Sequence, residues 1–372
     1  MHLKIAVLGG DGIGPEVVVQ SIKCLRSVEE TFGHKFTFTQ ALVGAGAIEK
    51  YGNPLPDKTI EVCKTSDAVL FGAIGSPEYD GNPAAKVWPE QGLLRLRKEL
   101  GLFANIRPVK VFPALVKQSP LSKSIVQNTD LVIYRELSGG IYYGDKTVDE
   151  NRTSATDTCT YTEAEISRIA HLAFKAAKGR KRKLTLVDKA NVLETSRLWR
   201  RVVYTIAKSY PEVTLESLFI DNAAVQMILN PNQFDVILTD NMFGDILSDQ
   251  GSVIAGSIGL LPSASVGTDF AMFEPIHGSY PDAKDKNIAN PVASILSAAM
   301  LLQHFKMNEE SDAVVAAVLK SFSKKIVTAD IMGSSKYGTE YVGDFIADNI
   351  IELDGSFNIN DENIDLGKST II

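Results

Sequence analysis

The amino-acid sequence predicts an α/β protein with a largely parallel central sheet, and three observations carry that expectation. The N-terminus reads strand, turn, helix: the apolar run 4–8 (KIAVL), then Gly9-Gly10-Asp11-Gly12-Ile13-Gly14, then Pro15-Glu16 opening an apolar-periodic segment. Residues 68–71 (AVLF) repeat the pattern, running into Gly72-Ala73-Ile74-Gly75-Ser76-Pro77. Further apolar runs at 184–187, 214–219 and 236–239 alternate with helical patterns, the signature of βα units and a parallel sheet.

Composition narrows the class. A chain of 372 residues can bury a large core and suggests two domains. Its 45% apolar and 22% charged residues are those of a soluble globular protein. A net charge of −7 argues against a nucleic-acid surface, which needs a basic footprint. No apolar run of about 18 residues and no signal-peptide pattern occurs, so neither membrane nor export is expected and the cytoplasm is. Cys24, Cys63 and Cys159 lack paired spacing, which fits reduced core thiols better than a disulfide frame or zinc site.

Taken in order, the first turn resembles a dinucleotide-binding fingerprint but departs from it. The third glycine required after Gly10 and Gly12 falls at Pro15, and no strand ending in an acidic residue follows at the right distance. It reads as a tight βα turn. Residues 89–107 then place Glu90, Leu93, Leu94 and Arg97 at helical spacing on one face, a small apolar patch between a carboxylate and a guanidinium. The plainer alternative is an amphipathic helix whose leucines are core. Arg107 and Arg135 end apolar runs, and three arginines delivered this way can converge on a polyanionic small molecule. Between Leu131 and Tyr161 the pattern changes to strands and turns rich in Gly, Thr and Tyr, which predicts an antiparallel insertion or arm.

Lys189 follows an apolar strand, where poor solvation favours a base, with a tyrosine as proton donor. A salt bridge to Asp188 or Glu194 is the structural alternative. Asp221 reads equally as the N-cap of a helix beginning at Asn222. Asp245 and Asp249 stand four apart at a helix start near Gly244, after the apolar run 234–238. Two unpaired carboxylates there repel by about 0.2–0.5 kcal/mol, a conflict that Mg2+ or Mn2+ would remove. A solvated acidic helix start is the alternative reading.

In combination these stretches are specific. The ordered set RLRKELGLFANIRP, RELSGGIYYG, VDKANVLE, NMFGDILSD and EPIHGSYPD with IANP resembles the metal-dependent β-decarboxylating dehydrogenases, the isocitrate/isopropylmalate dehydrogenase family, from Ile5 to about Val342. The tail after Asp344 carries none of it. The resemblance implies the fold of that family, which is not a Rossmann fold. Residues 1–102 with 256–372 would form a cofactor-binding domain, and residues 103–255 a domain for substrate, metal and the dimer interface, with an antiparallel dimerisation arm.

It also implies a site. Arg97, Arg107 and Arg135 would clamp a malate dicarboxylate, with Asp221, Asp245 and Asp249 holding Mg2+ or Mn2+, Asp221 also touching substrate. Lys189 would be the base and Tyr142 the proton donor, with Glu90, Leu93, Leu94 and Val192 lining an alkyl pocket. Glu274, His277, Gly278, Ser279, Asp282, Ala283 and Asn290 would hold the cofactor, Asp282 accepting from the ribose hydroxyls and so favouring NAD over NADP. Ala283 and Ser76 depart from the usual family residues. The implied reaction converts (2R,3S)-3-isopropylmalate to 4-methyl-2-oxopentanoate and CO2 with reduction of NAD+, in leucine biosynthesis, by a homodimer with shared sites.

Three other readings compete. A sibling acting on isocitrate, homoisocitrate or tartrate would need polar partners where Leu93 and Leu94 stand. A non-catalytic regulatory subunit would be expected to lose Tyr142, Lys189 or the aspartates, and none is lost. A phosphoryl-transfer enzyme lacks a P-loop and leaves the arginines unexplained.

Overall fold

The computed structural model describes residues 1–79, 82 and 85–353; the C-terminal tail beyond 353 lies outside the described residues. In chain order the strands are β1 (His2–Gly10), β2 (Lys35–Gln40), β3 (Ala68–Ala73), β4 (Ala104–Lys110), β5 (Asp130–Glu136), β6 (Lys146–Val148), β7 (Ala155–Asp157), β8 (Lys183–Asp188), β9 (Thr214–Phe219), β10 (Val236–Thr239), β11 (Pro262–Val266) and β12 (Ala271–Pro275). Ten of them form one sheet in the order β2-β1-β3-β12-β11-β4-β5-β10-β8-β9.

The sheet is parallel on both flanks and antiparallel at its centre, where β12, β11, β4 and β5 pair in alternating directions. Strands from residues 1–102 and from beyond 256 occupy one side, and strands from 103–255 the other; β11 and β4 join them. Both faces are covered, so β3, β4, β10 and β12 are buried at every position; β3 and β10 read as nearly continuous apolar runs, whereas β4 and β12 carry the buried charges Arg107, Lys110 and Glu274. The helix Gly14–Phe32 buries Val17, Val18, Cys24, Leu25 and Val28, one apolar stripe at helical spacing. The helix Val292–His304 is buried all round, a central core helix. Its serines stay satisfied: Ser294 accepts from Ser21 at 2.7 Å, and Ser297 donates to the Glu274 carbonyl at 2.9 Å.

β6 and β7 pair antiparallel in a separate exposed hairpin, where the Gly- and Thr-rich pattern predicts an insertion. Cys24 and Cys63 are buried free thiols, but Cys159 is exposed beside this hairpin and is not a core residue. No helix among the described residues is long and apolar enough to cross a membrane.

Two helix starts differ from expectation. The aspartate-bearing helix begins at Asn241, three residues before Gly244, because the Asp240 carboxylate caps it by accepting from Phe243 N–H at 2.8 Å. The preceding helix begins at Ile220, so Asp221 lies in its first turn and is not its cap.

Candidate active site

The site is built where β4 and β5 run side by side. Their register sets Asn105 opposite Arg135, so Arg135 and Arg107 emerge on one face of adjacent strands. Arg97 reaches the same place from the helix Pro89–Glu99. All three arginines are at most 7% exposed, a burial that demands partners. Arg97 Nη2 donates to Glu274 Oε1 at 3.1 Å, and Ser265 steadies that carboxylate from β11 at 3.0 Å. Arg107 Nε donates to Asn105 Oδ1 at 2.5 Å, and its Nη1 stands 3.5 Å from carboxylate oxygens of both Asp245 and Asp249. Arg135 donates to Asn241 Oδ1 at 2.8 and 3.1 Å and to Asp245.

Burial pushes the Arg107 guanidinium down, against the Asp245 charge; burial and Arg107 likewise push Arg135 down to about 10, so Arg135 stays cationic near neutral pH. Arg97 Nε is buried and has no partner among the described residues.

These arginines line a cleft of about 340 Å³ with Glu90, Leu93, Leu94, Tyr142, Asp245, Glu274, His277 and Gly278. Leu93 and Leu94 are half-buried toward it, whereas Leu96 and Leu100 of the same segment supply the core packing. Tyr142 donates its O–H to Asp245 Oδ2 at 3.1 Å. Burial, then the Asp245 charge, raises the Tyr142 phenol, which keeps it a proton donor.

Asp249 lies one turn beyond Asp245 on the exposed side of the helix; partial desolvation and the Asp245 charge push its carboxyl up against the pull of Arg107. Two neighbouring carboxylates of this kind suit a hard divalent cation. Within one chain they do not make a complete ligand set: among the described residues no three acidic, His or Cys side chains cluster as a metal site. Asp221 is elsewhere, 2.5 Å from Lys189 Nζ.

Lys189, Asp221 and Val192 therefore form a second group outside the cleft. Lys189 is half-buried and ion-paired, not isolated after its strand, and its partner is neither Asp188, which is held by Arg200, nor Glu194, which pairs with Arg197. Val192, expected in the alkyl pocket, is 62% exposed and does not line the cleft within one chain.

On the other side of His277 and Gly278 a second cavity of about 360 Å³ opens, lined also by Ile13, Ile258, Tyr280, Ala289, Asn290 and Asp330. Asn290 is fixed there, donating to Asp330 at 3.0 Å and accepting from Val292 N–H at 3.0 Å. The His277 ring bridges the two cavities. Its Nδ1 is 2.9 Å from the Gly278 carbonyl, its Nε2 is buried without a partner among the described residues, and burial lowers its pKa. Ser279 serves through its backbone, its carbonyl accepting from Ile13 N–H at 2.8 Å. That close approach explains the first glycine-rich turn, because a Cβ on Gly12 would strike the Ser279 carbonyl and its φ of +57° is left-handed. Ala283 is fully buried against Ile13, Val17 and Ala289, behind the wall of the cavity, and Asp282 is exposed on the adjoining 3-10 turn.

Sequence reasoning missed the residues that hold these groups: Asn105, Asn241, Ser248 and Ser265, each bonded to an arginine or to Glu274. It missed Asp11 as well, whose buried carboxylate ties three loops by accepting from Ala45 and Gly75 N–H at 2.8 and 2.9 Å. Asp11 inside a glycine-rich turn was the available signal.

The isocitrate/isopropylmalate dehydrogenase family model matches residues 4–346. The chain is 53% identical to a 3-isopropylmalate dehydrogenase of Bacteroides fragilis, covering 94% of this chain and 99% of the relative. It is 49% identical to the 3-isopropylmalate dehydrogenase of Aquifex aeolicus, with 95% and 99% covered. Among solved structures, isocitrate dehydrogenase from Methylococcus capsulatus superposes with a TM-score of 0.84 at 34% identity, covering 94% of this chain and 99% of that one.

Proposed function

The chain belongs to the isocitrate/isopropylmalate dehydrogenase family, and from that premise we propose that its arginine-lined cleft oxidises and decarboxylates 3-isopropylmalate, the β-decarboxylating step of leucine biosynthesis. The observation that carries this reading is the convergence of three buried guanidiniums on a cleft walled at its other end by Leu93 and Leu94. Within one chain the arginines are balanced by Asp245, Asp249 and Glu274. A divalent cation on Asp245 and Asp249 would release Arg107 and Arg135 to hold a dianionic substrate bidentately. Two half-buried leucines suit an isopropyl group and disfavour the third carboxylate of isocitrate.

Bound NAD would accept the C2 hydride, and the cation would act as Lewis acid toward the substrate oxygen. The protein's own residues handle positioning and protons. Arg97, Arg107 and Arg135 fix the two carboxylates. Lys189 takes the hydroxyl proton as C2 is oxidised, giving a 2-oxo acid. The bond from C3 to its carboxyl group then breaks, CO2 leaves, and the electron pair left toward C3 takes a proton from the Tyr142 O–H. The domain boundary falls between β4 and β11, with the cleft between the two units and cofactor in the cavity beyond His277. Asp282 faces the ribose and would repel a 2′-phosphate.

Lys189 and Asp221 reach the cleft from a second copy of the chain. Supporting this, the paired helices Ile220–Leu229 and Asn241–Ala255 leave Val225, Leu229, Ile246 and Val253 exposed, an apolar surface that calls for a partner.

The test is NADH production at 340 nm across malate, isopropylmalate, isocitrate, homoisocitrate and tartrate, with and without EDTA. Isopropylmalate should be turned over fastest, EDTA should abolish turnover, and NAD should exceed NADP in kcat/KM by at least about tenfold. Preference for isocitrate would overturn the substrate reading, and equal use of NADP the placement of Asp282.

A further inference from the structure

One buried carboxylate is joined to the walls of both the arginine cleft and the cavity beyond His277, and lines neither. Asp11, 6% exposed, lies in the turn between β1 and the helix Gly14–Phe32. Toward the cleft, its Oδ2 accepts from Gly75 N–H at 2.9 Å and its own N–H donates to the Ala73 carbonyl at 2.9 Å. Ala73 and Ile74 line the cleft beside Leu93 and Leu94. Toward the other cavity, two residues further along the same turn, Ile13 N–H donates to the Ser279 carbonyl at 2.8 Å, and the Ile13 side chain lines that cavity. The remaining oxygen, Oδ1, accepts from Ala45 N–H at 2.8 Å, at the start of the helix Ala45–Tyr51.

The surroundings of this carboxylate admit no substitute of the same size. Gly44 and Gly75 approach it with φ of +79° and +116°. A Cβ on Gly44 would stand 2.4 and 2.7 Å from the two Asp11 oxygens. A Cβ on Gly75 would stand 3.0 Å from Glu90 Oε1 and 3.5 Å from Ser279 Oγ, so Gly75 is the point at which Asp11, the alkyl pocket and the cofactor loop meet. Both oxygens receive N–H donors, which an ionised carboxylate accepts equally and an amide does not.

We propose that Asp11 is a positioning residue for hydride transfer: by holding the Ile74-Gly75 peptide against a turn that is itself pinned to Ser279, it sets the separation between the alkyl wall of the cleft and the cofactor loop. This inference rests on the reading of the two cavities as substrate and cofactor sites. Hydride transfer is steep in distance, and a misplacement of about 1 Å costs about a hundredfold in rate. The arginines that clamp the carboxylates come from β4, β5 and the helix Pro89–Glu99, and the Ile13 to Ser279 bond is made by backbone alone. Loss of the Asp11 charge therefore leaves both ligands their own sites and shifts one site against the other.

The experiment compares three variants of the full-length protein. Asp11→Asn keeps the size but turns an NH2 group toward one of the two N–H donors, and Gly75→Ala displaces the same peptide from the opposite side. Val28→Ala, fully buried in the helix Gly14–Phe32, lowers stability without touching the turn. Melting temperatures, dissociation constants for NADH and isopropylmalate by calorimetry, and NADH formation in stopped flow are measured, with C2-deuterated isopropylmalate marking the hydride step as the deuterium-sensitive phase. In Asp11→Asn and Gly75→Ala that phase should slow by about tenfold or more while both dissociation constants stay within about threefold. Val28→Ala should lower the melting temperature and leave the phase unchanged. The proposal is overturned if Asp11→Asn and Gly75→Ala behave as Val28→Ala does, or if their loss appears in the dissociation constants in place of the hydride step. Should Asp11→Asn fail to fold, Gly75→Ala carries the same comparison. If the unmodified protein turns over a different malate derivative, the substrate reading fails and the comparison is made on that compound deuterated at C2; no turnover of any of them would overturn both.

Discussion

At the residue scale, specificity rests on which atoms line the cleft and which merely hold those that do. Leu96 and Leu100 are buried in the core, while Leu93 and Leu94 are half-buried and line the cleft, Leu93 also packing against that core. Replacing them together (Leu93→Ser, Leu94→Asn) should lower kcat/KM for isopropylmalate by about 1–3 kcal/mol while sparing unbranched malate, measured by steady-state kinetics on both. Equal losses on the two substrates would make these leucines scaffold. A different residue reports on stability. Burial against Phe273 and Phe305 holds His304 below its usual pKa, so the folded protein binds its proton less readily than the unfolded chain. Stability is then full above about pH 6.5 and falls as pH drops from there toward the lower folded value, because the unfolded state takes up more protons. Urea midpoints measured between pH 7.5 and 5.5 should fall less steeply in His304→Gln than in the unmodified protein, and parallel slopes would rule this source out.

At the element scale, the helix Asn241–Ala255 positions the chemistry by how closely it seats on β5. Gly244 is the contact point: a Cβ there would stand 2.6 Å from Arg135 Cγ and 2.7 Å from its Cβ. No rotamer change of a flexible tip relieves that clash, because the crowded atoms are the root of a buried side chain. Gly244→Ala should therefore lift the helix or displace Arg135, costing about 1–3 kcal/mol of stability by chemical denaturation and raising the KM for isopropylmalate. An unchanged KM in a folded Gly244→Ala enzyme would show that the seat is not what aims Arg135. The hydrogen bonds from Arg135 to Asn241 and Asp245 depend on this same seat, so the helix fixes anion clamp and carboxylate pair together.

At the scale of the whole molecule, one chain holds two separate groups of residues: Arg97, Arg107, Arg135, Tyr142, Asp245 and Asp249 in or beside the cleft, and Lys189 with Asp221 apart from it. If two chains share each site, Arg97→Ala and Lys189→Ala homodimers should both be nearly inactive. In a mixed dimer one site carries both lesions and the other neither. Random exchange makes half the dimers mixed with half their sites intact, so about a quarter of the original activity should return on refolding the two variants together. Differently tagged subunits would verify the hybrids, and no recovery in verified hybrids would place Lys189 in its own chain's cleft.

The sequence by itself determined the periodic features. Apolar runs of strand length alternating with helical patterns gave the α/β class, and the spacing of Glu90, Leu93, Leu94 and Arg97 placed them on one helix face, because side-chain direction follows from backbone period alone. It also gave the order of the charged stretches that the family resemblance rests on. It could not decide what stands opposite what. That Asn105 faces Arg135 across β4 and β5, that Asn241 bonds Arg135 from 106 residues away, and that Asp11 ties three loops are facts of strand register and long-range packing. The helix start at Asn241 was misjudged because a cap depends on a hydrogen bond to Asp240, which the sequence near Gly244 offers but does not compel. The separation of Lys189 and Asp221 from the cleft is tertiary for the same reason. Each follows its own strand, β8 and β9, and where those strands fall in the ten-stranded order is set by non-local pairing, not by any local pattern in the chain.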